Sequence, residues 1–323
     1  MSPEERRSPA GAILALAALF LISPSPLIFL VPLAALLAVS GPGTVREMVW
    51  LAAAVGMSLL WLTWSHGIAD QVANAMAVLM TGSFIVLSTR EQPAFTRASW
   101  AVLLAMLAVT GWCAVWGIRW HDIELALTRQ WWEISRQLVD SGRLNGGLPT
   151  SNTFLDRLAD AGRPIAQLFP ARLVISGILG LVLASSWHDR IAGRTLGRPA
   201  GSFGSFRFAD HLVWLLIVAI AVLVIPDIHA LQEIADGSAP VDMFLFTLQY
   251  WGPVASNLLV ICAVLYAVRG AAVASRFVRP RAALVLLSLA TIFLLPFTLI
   301  GLGTIGLADT WVNFRKWANA GVQ

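Results

Sequence analysis

Residues 243–268 have the sequence MFLFTLQYWGPVASNLLVICAVLYAV, which contains no charged side chain. A helix that crosses a bilayer needs about 20 consecutive apolar residues, so this stretch is long enough to span one. Similar apolar runs fill most of the chain. The segments that we expect to be membrane helices are 10–22, 26–40, 45–64, 68–88, 98–118, 171–187, 208–225, 243–268 and 282–304.

The composition of the whole chain supports the same class. Of its 323 residues, 58% are hydrophobic and 12% are charged, whereas soluble domains carry about 25% charged residues. So few charges cannot cover a soluble globule, which excludes a soluble enzyme, a disordered chain and a fibrous repeat. The sequence therefore predicts an all-α, polytopic helical membrane protein with one membrane-embedded domain over 1–323.

The first apolar run is interrupted by two prolines, Pro24 and Pro26. Proline breaks a helix because it lacks an N–H and clashes with the preceding turn. We expect a tight hairpin of two short helices, or one broken span, which gives nine or eight hydrophobic segments. A signal peptide is the alternative for this region, because Arg6 and Arg7 precede a short apolar stretch.

The distribution of arginine predicts the topology. Cytoplasmic loops carry an excess of basic residues, so we place the N-terminus in the cytoplasm of a bacterium and the chain in its inner membrane. The segment 226–242 has no basic residue and is expected outside. Nine crossings would put the C-terminal tail outside as well, although Arg315 and Lys316 argue against that. The expected inner loops contain Arg46, Arg90, Arg97, Arg190, Arg194, Arg198, Arg207, Arg269, Arg276, Arg279 and Arg281.

The connection 119–170 differs from the spans because its apolar residues are periodic. Trp120, Ile123, Leu127, Trp131, Ile134 and Leu138 recur at spacings of three and four, which is typical of one face of a helix. We expect amphipathic extramembrane helices near 121–140 and 153–168. They could lie on the membrane surface or cap the bundle.

Polar residues inside spans are costly in lipid and are therefore candidates for a binding site. Asp70 and Asn74 lie one turn apart at the outer end of one span, and Gln249, Trp251 and Asn257 lie in the outer half of another. They predict an outer-facing pocket for a small molecule. The alternative is that they hydrogen-bond between helices and hold the bundle together. Small residues four apart, such as Ala34 and Ala38, also allow close packing of helices.

No motif predicts catalysis, a metal or a cofactor. Each of the five histidines lies near an aspartate, and His66, His121 and His229 share the expected outer side, but none has the spacing of a metal-binding motif. The net charge of +4 is better explained by contact with anionic lipid than with nucleic acid.

Three segments carry a resemblance to a known family. They are FRFADHLVW (206–214), NLLVICAVLYAVRGAAV (257–273) and GLADTWVNFRK (306–316). Together they resemble the YybS-like bacterial membrane proteins, a domain of unknown function, over about 200–317. Asn313 stands where many members have a second acidic residue. The residues that the resemblance singles out are Asn257, Tyr266, Gly270, Gly306, Asp309, Trp311, Phe314 and Arg315.

That family is remotely similar to the substrate-binding subunits of energy-coupling-factor transporters. The resemblance implies a bundle that binds a small molecule, has no ATPase of its own and depends on partner proteins. The alternative is a non-transport scaffold or regulatory partner. An intramembrane enzyme is the least favoured class, because no acid–base or nucleophile pair lies within a span.

Overall fold

A computed structural model describes residues 19, 23–64, 67–90, 92–140, 161–192, 194, 196–197, 206–236, 241–277 and 295–312. The side chains of 138–140, 225–236, 241–250, 276–277 and 295–296 lie outside this description. The chain forms two compact units, Met1–Ala200 and Gly201–Gln323.

The regular elements of the described residues are all α-helices, which confirms the predicted all-α class. Residues 161–167 are also helical and lead directly into α6. The first unit contains α1 (Leu27–Ser40), α2 (Val45–Trp64), α3 (Ile68–Leu87), α4 (Ala94–Val115), α5 (Trp120–Asp140) and α6 (Phe169–Ala192); the second contains α7 (Leu212–Asp236), α8 (Val241–Phe277) and α9 (Leu295–Ala308).

Five helices in the described residues are long and apolar enough to cross a membrane, so the chain is a multi-pass membrane protein. They are α2, α3, α4, α6 and the part of α8 from Trp251 to Ser275. Leu27–Ser40, Leu212–Val224 and Phe297–Ala308 are shorter apolar helices. Residues 10–22, apart from Leu19, lie outside the described residues, so the count of eight or nine segments stays a prediction.

The core of the first unit forms around α1, which packs against α2, α3 and α6. A helix that is apolar on all sides is buried on all sides, and Leu27, Ile28, Leu33 and Leu37 of α1 are almost fully buried. Gly180 of α6 lies against the backbone of α1, where an added Cβ would overlap it. Helices α3 and α4 complete the core.

Residues from several arginine-bearing loops meet at one end of this unit. The Arg194 guanidinium donates to the carbonyl of Ser40 at 3.4 Å, and Arg97 donates to the carbonyl of Leu196 at 3.1 Å. The loops after α1, after α3 and after α6 therefore share one end.

The amphipathic helix predicted at 121–140 is confirmed as α5, and it packs on the bundle. Ile123 is buried in the core of the first unit, and the Trp131 ring lies so close to Gly162 that a Cβ there would overlap it. Arg163 pairs with Glu124 at 3.2 Å. These contacts favour the expectation that α5 caps the helical bundle. Ile134, however, is 48% exposed, so no described residue covers this part of the predicted face. Of the second predicted helix, 153–160 lies outside the described residues.

Two arginines that the sequence placed in inner loops are instead buried in helices. Arg97 lies in the first turn of α4, which begins at Ala94 rather than at 98, and Arg269 lies within α8, which continues to Phe277. Both are 0% exposed. The expected outer loop 226–242 is also shorter, because α7 continues past Pro226 to Asp236.

Candidate functional site: a buried arginine cluster in the second unit

The predicted pocket residues of the first unit are used for local structure. The Asp70 carboxylate accepts a hydrogen bond from the Gly67 N–H at 3.4 Å, at the start of α3. Asn74 is 8% exposed, and its side-chain oxygen accepts a hydrogen bond from the Ser25 hydroxyl at 3.2 Å. One bond caps α3 and the other joins α3 to the start of α1, so both fit the alternative in which polar residues hold the bundle together.

The predicted pocket in the second unit stays a prediction, because only two of its three residues have described side chains. The Asn257 amide donates to the Pro253 carbonyl of its own helix at 2.7 Å. Trp251 is 59% exposed, which fits a position against lipid. The side chain of Gln249 lies outside the described residues.

A different cluster forms around Arg269, and we call Arg269, Asp210 and Asp309 the Arg269 triad. The Nε of Arg269 donates to the Asp309 carboxylate at 3.0 Å, and one terminal nitrogen donates to the Asp309 backbone carbonyl at 3.1 Å. The other terminal nitrogen donates to the Asp210 carboxylate at 2.8 Å. Arg269 and Asp309 are almost fully buried, whereas the Asp210 side chain is 47% exposed.

Aromatic and hydroxyl groups surround the triad. The Phe208 ring packs edge-on against the Tyr266 ring at 5.1 Å, and the Arg269 guanidinium carbon lies 5.3 Å from the centre of the Phe208 ring. The hydroxyls of Tyr266 and Thr310 are buried, and neither makes a hydrogen bond within the described residues. Buried polar atoms are normally satisfied, so two such hydroxyls beside a buried ion pair require an explanation.

Two glycines bring the members of the triad together. Gly270 of α8 and Gly306 of α9 face each other, and a Cβ on either would overlap the backbone of the facing helix. Arg269 is the neighbour of Gly270 in sequence, and Asp309 lies about one turn beyond Gly306. The close crossing of the helices therefore places the guanidinium next to the carboxylate.

The triad also fixes the relative depth of three helix ends. Asp210 precedes α7 and Asp309 follows α9, yet both bind Arg269. The start of α7 and the end of α9 therefore lie at one level along α8. The predicted single crossing over 282–304 would have put these two ends on opposite sides of the membrane. Residues 278–294 lie outside the described residues, so the path of the chain into α9 stays a prediction.

Some of the residues that the sequence analysis singled out lie at this site, and charge patterning missed the others. Tyr266, Gly270, Gly306 and Asp309 all lie at or beside the crossing. Arg269 was missed as a site residue, because an arginine after an apolar run normally marks the end of a span. The signal that could have found it is its position between Tyr266 and Gly270 in the segment that carries the resemblance. Asp210, in FRFADHLVW, was missed for a similar reason. Trp311 is 67% exposed, and Phe314 and Arg315 lie outside the described residues.

The first unit has a separate buried arginine. The Arg97 guanidinium lies 5.2 Å from the centre of the Phe84 ring and binds the Leu196 carbonyl. His188, which is 1% exposed, lies 3.5 Å from the Asp189 carboxylate. Among the described residues, no three His, Cys, Asp or Glu side chains come together as metal ligands; His66 and the His229 side chain lie outside them.

Comparison of the chain with protein-family models, curated proteins and solved structures gives no match.

Proposed function

We propose that the chain is a multi-pass membrane protein that binds a small molecule at the Arg269 triad and depends on partner proteins for energy. The observation that carries the proposal is the complete burial of Arg269 in an apolar helical unit. An ionised side chain among membrane helices is costly, and such residues commonly line substrate or ion pathways. The two buried hydroxyls without partners add unused hydrogen-bonding capacity beside it.

The convergence of the three resembling segments supports the same site. Asp210 comes from the first segment, Tyr266 and Arg269 from the second, and Asp309 from the third. These segments are far apart in sequence and meet at one guanidinium. This is why we propose a YybS-like protein whose function, as in the transporter subunits to which that family is remotely similar, is to bind a small molecule.

The proposed site differs in position from the pocket that the sequence suggested. In the predicted topology the start of α7 follows an inner loop, so the triad lies towards the cytoplasmic side of the bacterial inner membrane. The ligand would then enter from the cytoplasm, with the N-terminus on the same side.

A membrane scaffold is the second candidate, and a groove in the first unit favours it. An open, apolar groove of about 310 Å³ runs between α1 and α2. Ala34 and Ala38 lie along it at the spacing that allows a further helix to approach closely. In this alternative the groove would hold a transmembrane helix of a partner protein.

Native mass spectrometry of the protein purified in mild detergent separates the two candidates. Our proposal predicts a small-molecule adduct on the monomer mass that survives gentle activation. A bound protein without any small-molecule adduct would support the scaffold and contradict the binding function.

A further inference from the structure

We propose that the ligand carries a carboxylate group, and that this group binds Arg269 in place of the Asp210 carboxylate. The inference rests on the proposed binding function and deepens it by naming the ligand class. In the structure, Asp210 acts as an internal substitute for the ligand.

Arg269 donates two hydrogen bonds to Asp309 and one to Asp210. A guanidinium has five N–H donors. One side of it is held by the Asp309 carboxylate and the Asp309 backbone carbonyl, at 3.0 and 3.1 Å. Among the described residues, the other terminal nitrogen has one hydrogen bond, to Asp210. A carboxylate is the natural partner for a guanidinium edge of this kind, because it can accept two parallel N–H bonds.

Asp210 is the member of the triad that can leave. It is half-exposed, it lies before the first residue of α7, and its second oxygen is 3.8 Å from the guanidinium of Arg207, which is also 47% exposed. When Asp210 releases Arg269, it therefore keeps a cation beside it. Asp309 has no such freedom, because it is 1% exposed.

The hydroxyls of Tyr266 and Thr310 can donate hydrogen bonds to a ligand oxygen. Tyr266 lies one helical turn before Arg269 on α8, and Thr310 directly follows Asp309 in sequence. Neither hydroxyl makes a hydrogen bond of normal geometry among the described residues. A carboxylate on Arg269 could accept hydrogen bonds from these hydroxyls, and their lack of partners would then be explained.

The buried positive charge of Arg269 favours an anionic ligand over a neutral or cationic one. Replacing one carboxylate by another leaves the charge around Arg269 unchanged, so no buried charge loses its partner. A cation or a neutral molecule in the same position would leave the buried guanidinium with one carboxylate fewer.

The test is chemical rescue of the Asp210→Ala variant, which empties the position that the ligand would take. Acetate is the probe; acetamide is its neutral analogue, and chloride at equal ionic strength is the salt control. We expect acetate, and neither control, to raise the Tm of the variant in a saturable way. If the Asp210 carboxylate is bound to Arg269 in about nine-tenths of wild-type molecules, only one-tenth can bind acetate. Removing Asp210 then lowers the apparent Kd for acetate about tenfold.

Several results would overturn the inference. They are equal acetate affinity in the wild type and the variant, an equal effect of chloride, or no rescue by acetate. If Asp210→Ala does not fold, Asp210→Asn serves instead, because its amide oxygen keeps one hydrogen bond to Arg269. Failure of rescue while the purified wild type still carries a small molecule would exclude a carboxylate ligand and leave the binding function standing. Failure of both would remove both proposals.

Discussion

The crossing of α8 and α9 predicts a large difference between two similar substitutions in one helix. Gly306 faces the backbone of α8, where an added Cβ would overlap it, whereas Gly303 has no atom within 4 Å of the position of a Cβ. Gly306→Ala and Gly303→Ala are therefore a matched pair, three residues apart.

The magnitude follows from what each methyl group meets. At Gly306 the obstacle is backbone, which cannot rotate away as a side chain can, so α9 has to move outward. Overpacking of this kind costs about 1–3 kcal/mol, and a gap of roughly an ångström between the helices forfeits part of their dispersion energy as well. At Gly303 the same change removes a flexible residue from a helix and stabilises it by up to about 1 kcal/mol.

Thermal unfolding in detergent measures the difference directly. We expect Gly306→Ala to lower the Tm by several degrees and Gly303→Ala to leave it unchanged or raise it slightly. Equal Tm values for the two variants would refute the close crossing, and with it the geometry that places Arg269 beside Asp309.

Three further predictions concern other parts of the chain. Asp309→Ala leaves a buried arginine without its main partner and should cost about 3–5 kcal/mol; unfolding by denaturant that shows less than 1 kcal/mol would indicate a solvated pair. Trp131→Glu should lower the Tm clearly because this ring packs against Gly162, while the matched change at Trp132, which is 37% exposed, should have a smaller effect; equal effects would show that α5 is not packed as described. In a variant without Cys113 and Cys262, cysteine placed at Ser238 should react with an impermeant reagent from outside, and cysteine placed at Ser202 or Ser275 should not; the opposite pattern would invert the topology.

The sequence predicted the helices well where an uninterrupted apolar run marks a membrane span. The spans expected at 45–64 and 68–88 agree with α2 and α3 almost to the residue, because an uninterrupted apolar run has few other folds in a bilayer. The three-and-four spacing from Trp120 to Leu138 likewise predicted α5. These signals are local, and one segment is enough to recognise them.

The Arg269 triad could not be predicted in the same way, because it depends on contacts between distant segments. Arg269 and Asp309 are 40 residues apart, and Arg269 and Asp210 are 59 apart. A charged residue near the end of an apolar run is ordinarily at the membrane surface, and only a partner of opposite charge on another helix allows it to be buried. The pocket predicted at Asp70 and Asn74 stays a prediction, but both side chains have hydrogen-bond partners. Their polarity is used in a cap and in a bond to Ser25, and neither partner is evident from the sequence.

The central claim is that the small molecule binds at Arg269, and a variant without the buried Arg269–Asp309 pair tests it most directly. In the double variant Arg269→Met with Asp309→Leu, apolar side chains replace the buried pair, a change that is often neutral or stabilising because no unpaired charge stays buried. Asp210 remains, but it is half-exposed and keeps Arg207 3.8 Å away. Circular dichroism and the Tm establish that the variant is folded, and native mass spectrometry then compares it with the wild type. The account predicts that the wild type carries a small-molecule adduct and that the folded double variant does not. An adduct of the same mass and occupancy on both proteins would contradict it.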